Sequence, residues 1–204
     1  ARSAVLRRHI EECKAYREAA PVSGDAYKLR GTPHLFRPNK NRPRGEYLCI
    51  PRHVSTTRAY FTADRFGADV VSGDANFVAA DADGFAFAVI SSSAFIAWQR
   101  MVGGALESRL RFSNTLVWNT LPLPELSEAE RGKLIDAGAG VLAARAEHPE
   151  RSLAQHYNPL AMDPALVKAH AGLDRVMDGL LSLPAGATEK DRQTRLMELY
   201  AERA

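Results

Sequence analysis

Glu107, Arg109 and Arg111 alternate with Ser108, Leu110 and Phe112 within the stretch Trp98–Pro124. In an extended strand, residues two apart point to the same face. The spacing predicts one carboxylate and two guanidiniums in a row, about 6–7 Å apart, with Leu110 and Phe112 anchoring the opposite face. A guanidinium can donate two parallel hydrogen bonds to O6 and N7 of guanine, and a carboxylate can accept from N4 of cytosine. An acid would weaken a phosphate track, so a row of mixed sign suits base edges better than backbone. A solvated edge strand would carry the same alternation, and these residues alone leave both readings open. Gly103-Gly104 just upstream supports the base-reading one, because glycine lets a backbone approach a duplex closely.

Charge points the same way. The net charge is only +3, yet Lys28–Arg58 carries eight cations against the single acid Glu46, a segment charge of +7 that leaves −4 for the remainder. Such asymmetry suits a polyanionic partner. Lys40, Arg42 and Arg44 lie in the loop Arg37-Pro-Asn-Lys-Asn-Arg-Pro-Arg-Gly45 and, with Arg52 and Arg58, are candidate phosphate contacts.

Catalytic sets are missing. Cys13 and Cys49 have no ligand-like partners, so neither a disulfide framework nor a metal site is expected, and a reducing cytoplasm is the simplest compartment. Glu12-Cys-Lys14 fits only the tail of a nuclease pattern. Asn158-Pro159 is followed by Leu160 and not by the Pro-aromatic pair that clamps a flipped base, and Phe66-Gly67 lacks the second glycine of a methyl-donor loop. No catalytic, cofactor-binding or metal-binding residue is expected here, and no apolar run is long enough to span a bilayer. The chain opens on Ala1 and reads as a piece of a longer polypeptide.

The elements that would position these side chains are legible in outline. Residues 3–20 have helical spacing, and Pro21 and Gly24 end the run. Four prolines between 33 and 51 keep the next stretch irregular. Strands are expected at 47–50, 54–61, 69–71 and 76–80, with a turn at Ser72-Gly73-Asp74. Residues 83–102 are too apolar for one amphipathic stripe, which predicts one or two buried helices, started by Asp83 and broken near Ser91–Ser93; their aromatics are core rather than a stacking platform. Capping signals open long helices at Ser127/Glu130, Asp163-Pro164 and Thr188/Asp191, and His170 falls in an apolar stripe as a packing histidine. The expected class is α+β: a small mixed or antiparallel sheet with packed helices over 1–124, then an all-α helical domain over 125–204.

Several stretches together are similar to one family. Ser91-Ser-Ser93, Ala97-Trp98, Val102-Gly-Gly104, Ser108-x-x-Arg111-Phe-Ser-Asn114 and Val117-x-Asn-Thr-x-Pro-x-Pro124 resemble the target recognition domain of MmeI-like restriction-modification enzymes. Pro51-Arg-His-Val-Ser-x-x-Arg58-x-Tyr60 resembles the strand leading into that domain. Leu153-Ala-x-x-Tyr-Asn-Pro159, Met162-x-x-x-Leu-Val-Lys-Ala-His-x-x-Leu-Asp174 and Arg195-Leu-x-x-Leu-Tyr200 resemble the family's C-terminal helical domain. Leu123 departs from the aromatic usual before the last proline, and Val176-Met-Asp-Gly-Leu-Leu181 departs from the family's usual continuation.

The resemblance implies an adenine-specific DNA methyltransferase upstream in the same chain. S-adenosylmethionine would belong to that part, not to this one, and double-stranded DNA would be the partner. Glu107, Arg109 and Arg111 fall where the family sets its sequence specificity. Asp74 and Asn76 form a second candidate group, since asparagine pairs with adenine N6 and N7, and Ser113 joins the candidate phosphate contacts. A contrasting possibility is a protein-interaction module, like a specificity subunit, that docks a separate methyltransferase subunit.

Overall fold

The computed structural model describes residues 3–37 and 43–203, which fall in two compact units, 1–42 and 43–204. In the first unit, helix α1 (Ala4–Glu18) starts at Ser3, and a short α2 spans Asp25–Lys28. No residue of α1 is buried. Arg17, in its last turn, donates to the carbonyls of Leu29, Thr32 and Leu35 at 2.8–2.9 Å and so gathers the loop after α2.

The second unit is built on one bent strand. β1 (Tyr47–Pro51) and β2 (His53–Ser55) run on from each other and part at Arg52. β1 is the centre of a first antiparallel sheet, between β3 (Asp64–Phe66) and β4 (Asn76–Ala80). β2 is an edge of a second, in the order β2-β6-β5. Arg52 holds the bend to both sheets: its N–H donates to the Ala75 carbonyl at 3.1 Å, and its carbonyl accepts from Phe112 N–H at 2.9 Å. The strand expected over 54–61 therefore stops at Ser55, and residues 69–71 form none. The chain turns there instead, Val70 N–H bonding Gly67 O, and both valines are exposed. The unpredicted β3 takes the place beside β1, pairing Leu48 with Arg65.

Two buried helices follow, as the apolar run predicts. α3 spans Phe85–Ile90 and α4 spans Ser93–Val102. Asp83 accepts from Phe85 N–H at 3.1 Å, and the buried Asp81 accepts from Ala86 and Phe87 N–H at 3.0 and 3.1 Å, so the start of α3 is capped by two carboxylates. Ser92 caps α4 across the break. After α4 come β5 (Gly104–Leu106) and β6 (Arg109–Arg111), then a π-helical turn over Asn114–Trp118 capped by Ser113. Trp98 Nε1 donates to the Val117 carbonyl at 3.1 Å, which seats that turn on α4.

The C-terminal helices are α5 (Glu128–Ala146), a four-residue α6 (Leu153–His156), α7 (Pro164–Leu180) and α8 (Glu189–Ala201). Capping boxes open α5 at Ser127/Glu130 and α8 at Thr188/Asp191, and Asp163 with Pro164 opens α7. α5 packs on α3 and α7, and α4 packs on α8. One hydrophobic core runs from Leu48, Phe61 and Phe95 to Leu134, Leu173 and Leu196, so residues on both sides of position 124 share it. Among the described residues, no helix is long and apolar enough to cross a membrane.

Candidate nucleic-acid interface

The second sheet arranges its outer face in two cross-strand rows. Its register pairs Ser55 with Arg109 and Arg109 with Leu106; one step along, His53 pairs with Arg111 and Arg111 with Gly104. Cross-strand partners share a face, so Ser55, Arg109 and Leu106 form one row and His53, Arg111 and Gly104 the next. The other face carries Val54 and Leu110, both buried. Phe112 continues that anchoring side and packs on Phe61, Phe77 and Phe95 with ring centroids 5.2–6.3 Å apart. Arg109 and Arg111 are exposed, with their backbone fixed from below.

Glu107 stands elsewhere than the sequence spacing predicts. The run from 107 to 112 is not one strand, because Glu107 and Ser108 form the two-residue turn of the β5–β6 hairpin. Glu107 has φ 55°, a positive value at the first turn position, as a type II′ hairpin needs. Its carboxylate lies beside the row, 3.3 Å from Arg109 Nη2, rather than within it.

Gln99 holds this face in place and carries no signal in the sequence. It is fully buried in α4, and its Nε2 donates to the Arg111 carbonyl at 3.0 Å. Gly103 serves that contact: a Cβ there would lie 1.8 Å from Gln99 Nε2 and 2.4 Å from Gln99 O. Gly104, the other member of the pair expected to allow close approach, faces open space. Arg100 braces the loop after β2, donating to the Arg58 carbonyl at 2.8 Å while pairing with Glu189 of α8.

The other candidates divide. Asn76 lines a cleft of about 410 Å³ with Cys49, His53, Ser55, Arg58 and Asp64, so it opens onto the same region as the outer rows. Asp74 is exposed in the turn before it. Arg52 is exposed at the strand bend, its guanidinium 5.4 Å from the Phe77 ring centre, and Arg44 is exposed. Arg58 turns inward instead and donates to the carbonyls of Ala154 and Tyr157. Ser113 Oγ accepts from Leu116 N–H at 3.1 Å as the cap of the π-helical turn. Lys40 and Arg42 lie outside the described residues. His53 and Ser55 join the face through strand register, which residue types do not reveal.

The perturbed titratable groups lie in the core beneath. His170 is fully buried and stacked on Tyr60 at 3.7 Å; burial, aided by the Arg145 charge, pushes its pKa down to about 3. Tyr157 Oη sits 2.7 Å from His170 Nε2 and accepts from Arg145 Nε at 2.9 Å, so its own proton goes to the histidine. That is the packing role the apolar stripe predicts. Burial and the charge of Asp174 push Tyr60 up to about 12. Asp174, itself pushed up by burial, accepts from Ser93 N–H and Oγ at 2.7 and 2.6 Å and ties α7 to the start of α4. These groups join elements to one another. Among the described residues, no group of three or more His, Cys, Asp or Glu side chains is placed to hold a metal.

Two family models between them match the whole chain. The model of the MmeI target recognition domain matches residues 1–125, and that of the MmeI C-terminal domain matches residues 126–204. The chain belongs to the MmeI family. A solved structure of the Type IIL restriction-modification enzyme MmeI in complex with DNA superposes on 97% of the chain with a TM-score of 0.80 at 32% identity. DNA methyltransferase A of Bacillus subtilis (strain 168) is 28% identical over 198 residues, 97% of this chain. The chain spans 22% of that methyltransferase and 26% of the MmeI chain, about a quarter of either.

Proposed function

We propose that this chain is the double-stranded DNA sequence-reading part of a larger adenine-specific DNA methyltransferase of the restriction-modification type. The observation that carries the proposal is the outer face of the second sheet: two exposed guanidiniums in register on a hairpin pinned to the core through Leu110, Phe112 and Gln99. In this reading Arg109 and Arg111 each donate two bonds to a guanine edge in the major groove. Glu107 either orients Arg109 or accepts from a cytosine amine, and Asp74 and Asn76 read a neighbouring base pair. In this reading residues 1–124 belong to the reading domain and 125–204 to the helical domain, whose helices share one core with the two sheets.

Lys40, Arg42, Arg44, Arg52, Arg58 and Ser113 are the proposed backbone contacts. Arg44 and Arg52 have the strongest case, being exposed; Arg58 and Ser113 would have to combine that role with their structural bonds. The methyl donor S-adenosylmethionine is assigned to the upstream methyltransferase domain of the same polypeptide. Among the described residues both sheets are antiparallel, which supports placing the donor elsewhere, since a strand–glycine turn–helix crossover is the usual cradle for such a cofactor.

The test uses the full-length parent enzyme and reads which genomic sites become methylated. Arg109→Ala or Arg111→Ala should relax or switch one base pair of the site, worth about 1–3 kcal/mol of discrimination per lost bidentate contact. An unchanged site in both variants would overturn the assignment. Arg44→Ala and Arg52→Ala should instead weaken binding to every sequence and lower the salt dependence by about one counterion each.

A further inference from the structure

One outward side chain of the second sheet is neither charged nor polar. Leu106 ends β5 on the same face as its register partner Arg109 and is 48% exposed, whereas Leu110 on the opposite face is 6% exposed. Hydrophobic burial in this fold does not explain a branched apolar side chain there. β5 is an edge strand of the sheet, and all three of its residues are exposed. The next row has Gly104 at the equivalent place beside Arg111, with open space around it. An apolar group is thus present beside one arginine and absent beside the other.

From this juxtaposition we infer that Leu106 reads the C5-methyl group of a thymine next to the guanine bound by Arg109. The inference rests on the DNA-reading function proposed above. The chemistry is direct, because the thymine methyl is the one apolar group on a base edge in the major groove and small apolar side chains recognise it by contact. The geometry agrees, because cross-strand neighbours stand about 4.5–5.5 Å apart, close to the offset between adjacent base edges stacked about 3.4 Å apart along a strand. A guanidinium and an isobutyl group so placed suit a guanine and a thymine on neighbouring steps. Beside Arg111, Gly104 offers no such contact, so a single thymine position should be methyl-sensitive.

The experiment uses the full-length enzyme and duplexes in which each thymine of its recognition site is replaced, one at a time, by deoxyuridine, which lacks only the methyl group. With wild-type enzyme, kcat/KM at fixed salt should fall about 3- to 10-fold at one thymine, the worth of roughly one buried methyl-sized group. Leu106→Ala should treat thymine and uracil alike there and act on the thymine duplex about as weakly as wild type does on the uracil one. Leu106→Val, which keeps strand propensity, should fall between them. If no position discriminates in the wild type, or if Leu106→Ala still discriminates, the inference is overturned. Arg109→Ala, run on the same duplexes with its base pair varied, separates the two proposals. Relaxed reading at a guanine with no methyl effect anywhere sinks only the role of Leu106, whereas intact reading in that variant sinks the base-reading face itself.

Discussion

Gln99 and Gly103 show how a single buried amide can govern an exposed surface. The amide reaches the Arg111 carbonyl only because residue 103 has no side chain in its path. Gly103→Ala should therefore cost about 2 kcal/mol or more, by overpacking and by loss of that hydrogen bond. Because both changes act on one contact, Gln99→Ala combined with Gly103→Ala should cost less than the sum of the two. Urea denaturation of the four proteins in the cycle checks this, and simple additivity would refute it. Glu107 belongs to the same scale. A non-glycine residue at φ 55° is strained, and its ion pair with Arg109 is exposed and contributes little. Glu107→Gly should leave the fold about 0.5–1 kcal/mol more stable while altering the recognised sequence. Strain retained at a position of proposed function is the pattern expected where function sets the residue.

At the scale of elements, helices were far more legible in the sequence than strands. Ser127/Glu130, Asp163-Pro164 and Thr188/Asp191 mark three helix starts, and each side chain makes the capping bond its type predicts. The break near Ser91–Ser93 was readable for the same reason. Strand β6 was legible from the alternation of Arg109, Leu110 and Arg111, but β5 and the hairpin turn were not, because Glu107-Ser108 lacks the Asn-Gly type signature of a tight turn. The shared face of Arg109 and Arg111 was thus legible while the place of Glu107 was not, and His53 and Ser55 became visible only with the register. Helix α6 was missed although Ser152 and Gln155 form a capping box, since four residues give no periodicity. Packing between helices gives a further expectation. A Cβ at Gly138 of α5 would lie 2.7 Å from the Ala88 Cβ of α3. Gly138→Ala should separate these helices and lower stability by about 1–3 kcal/mol, read as a reduced urea midpoint with an unchanged slope.

For the whole molecule, the shared core of residues 43–204 makes stability pH-dependent through groups far from the proposed interface. His170 has a folded pKa of about 3, below its unfolded value near 6.5, so the folded state holds fewer protons between those values. Its contribution is complete above pH 6.5 and is lost as pH falls toward 3, on the order of a few kcal/mol in all. Asp174, raised by burial, opposes this at the low end, because its protonation relieves a buried charge. Tyr60 stays protonated up to about 12 in the folded state, so its share is complete below pH 10 and declines above. Urea midpoints should therefore fall between pH 7 and pH 5, and His170→Gln, which can still accept from Tyr157, should flatten that fall. An equally steep fall in the variant would assign the effect to other groups. Composition alone suggested little of this, since a mild net charge of +3 conceals both the basic segment and the ionisable core.

The bend at Arg52 has an evolutionary consequence. One continuous strand faces the core through Leu48, Ile50 and Val54 and faces outward through His53 and Ser55, so inheritance acts on the two sets separately. Codon changes at 106 and 109 alter the outer rows at exposed side chains, and each should shift folding stability by no more than about 0.5 kcal/mol. A lineage carrying this fold could drift to a new recognised sequence through single viable steps. Selection on folding would leave few marks at those two positions, and related chains should diverge there soonest.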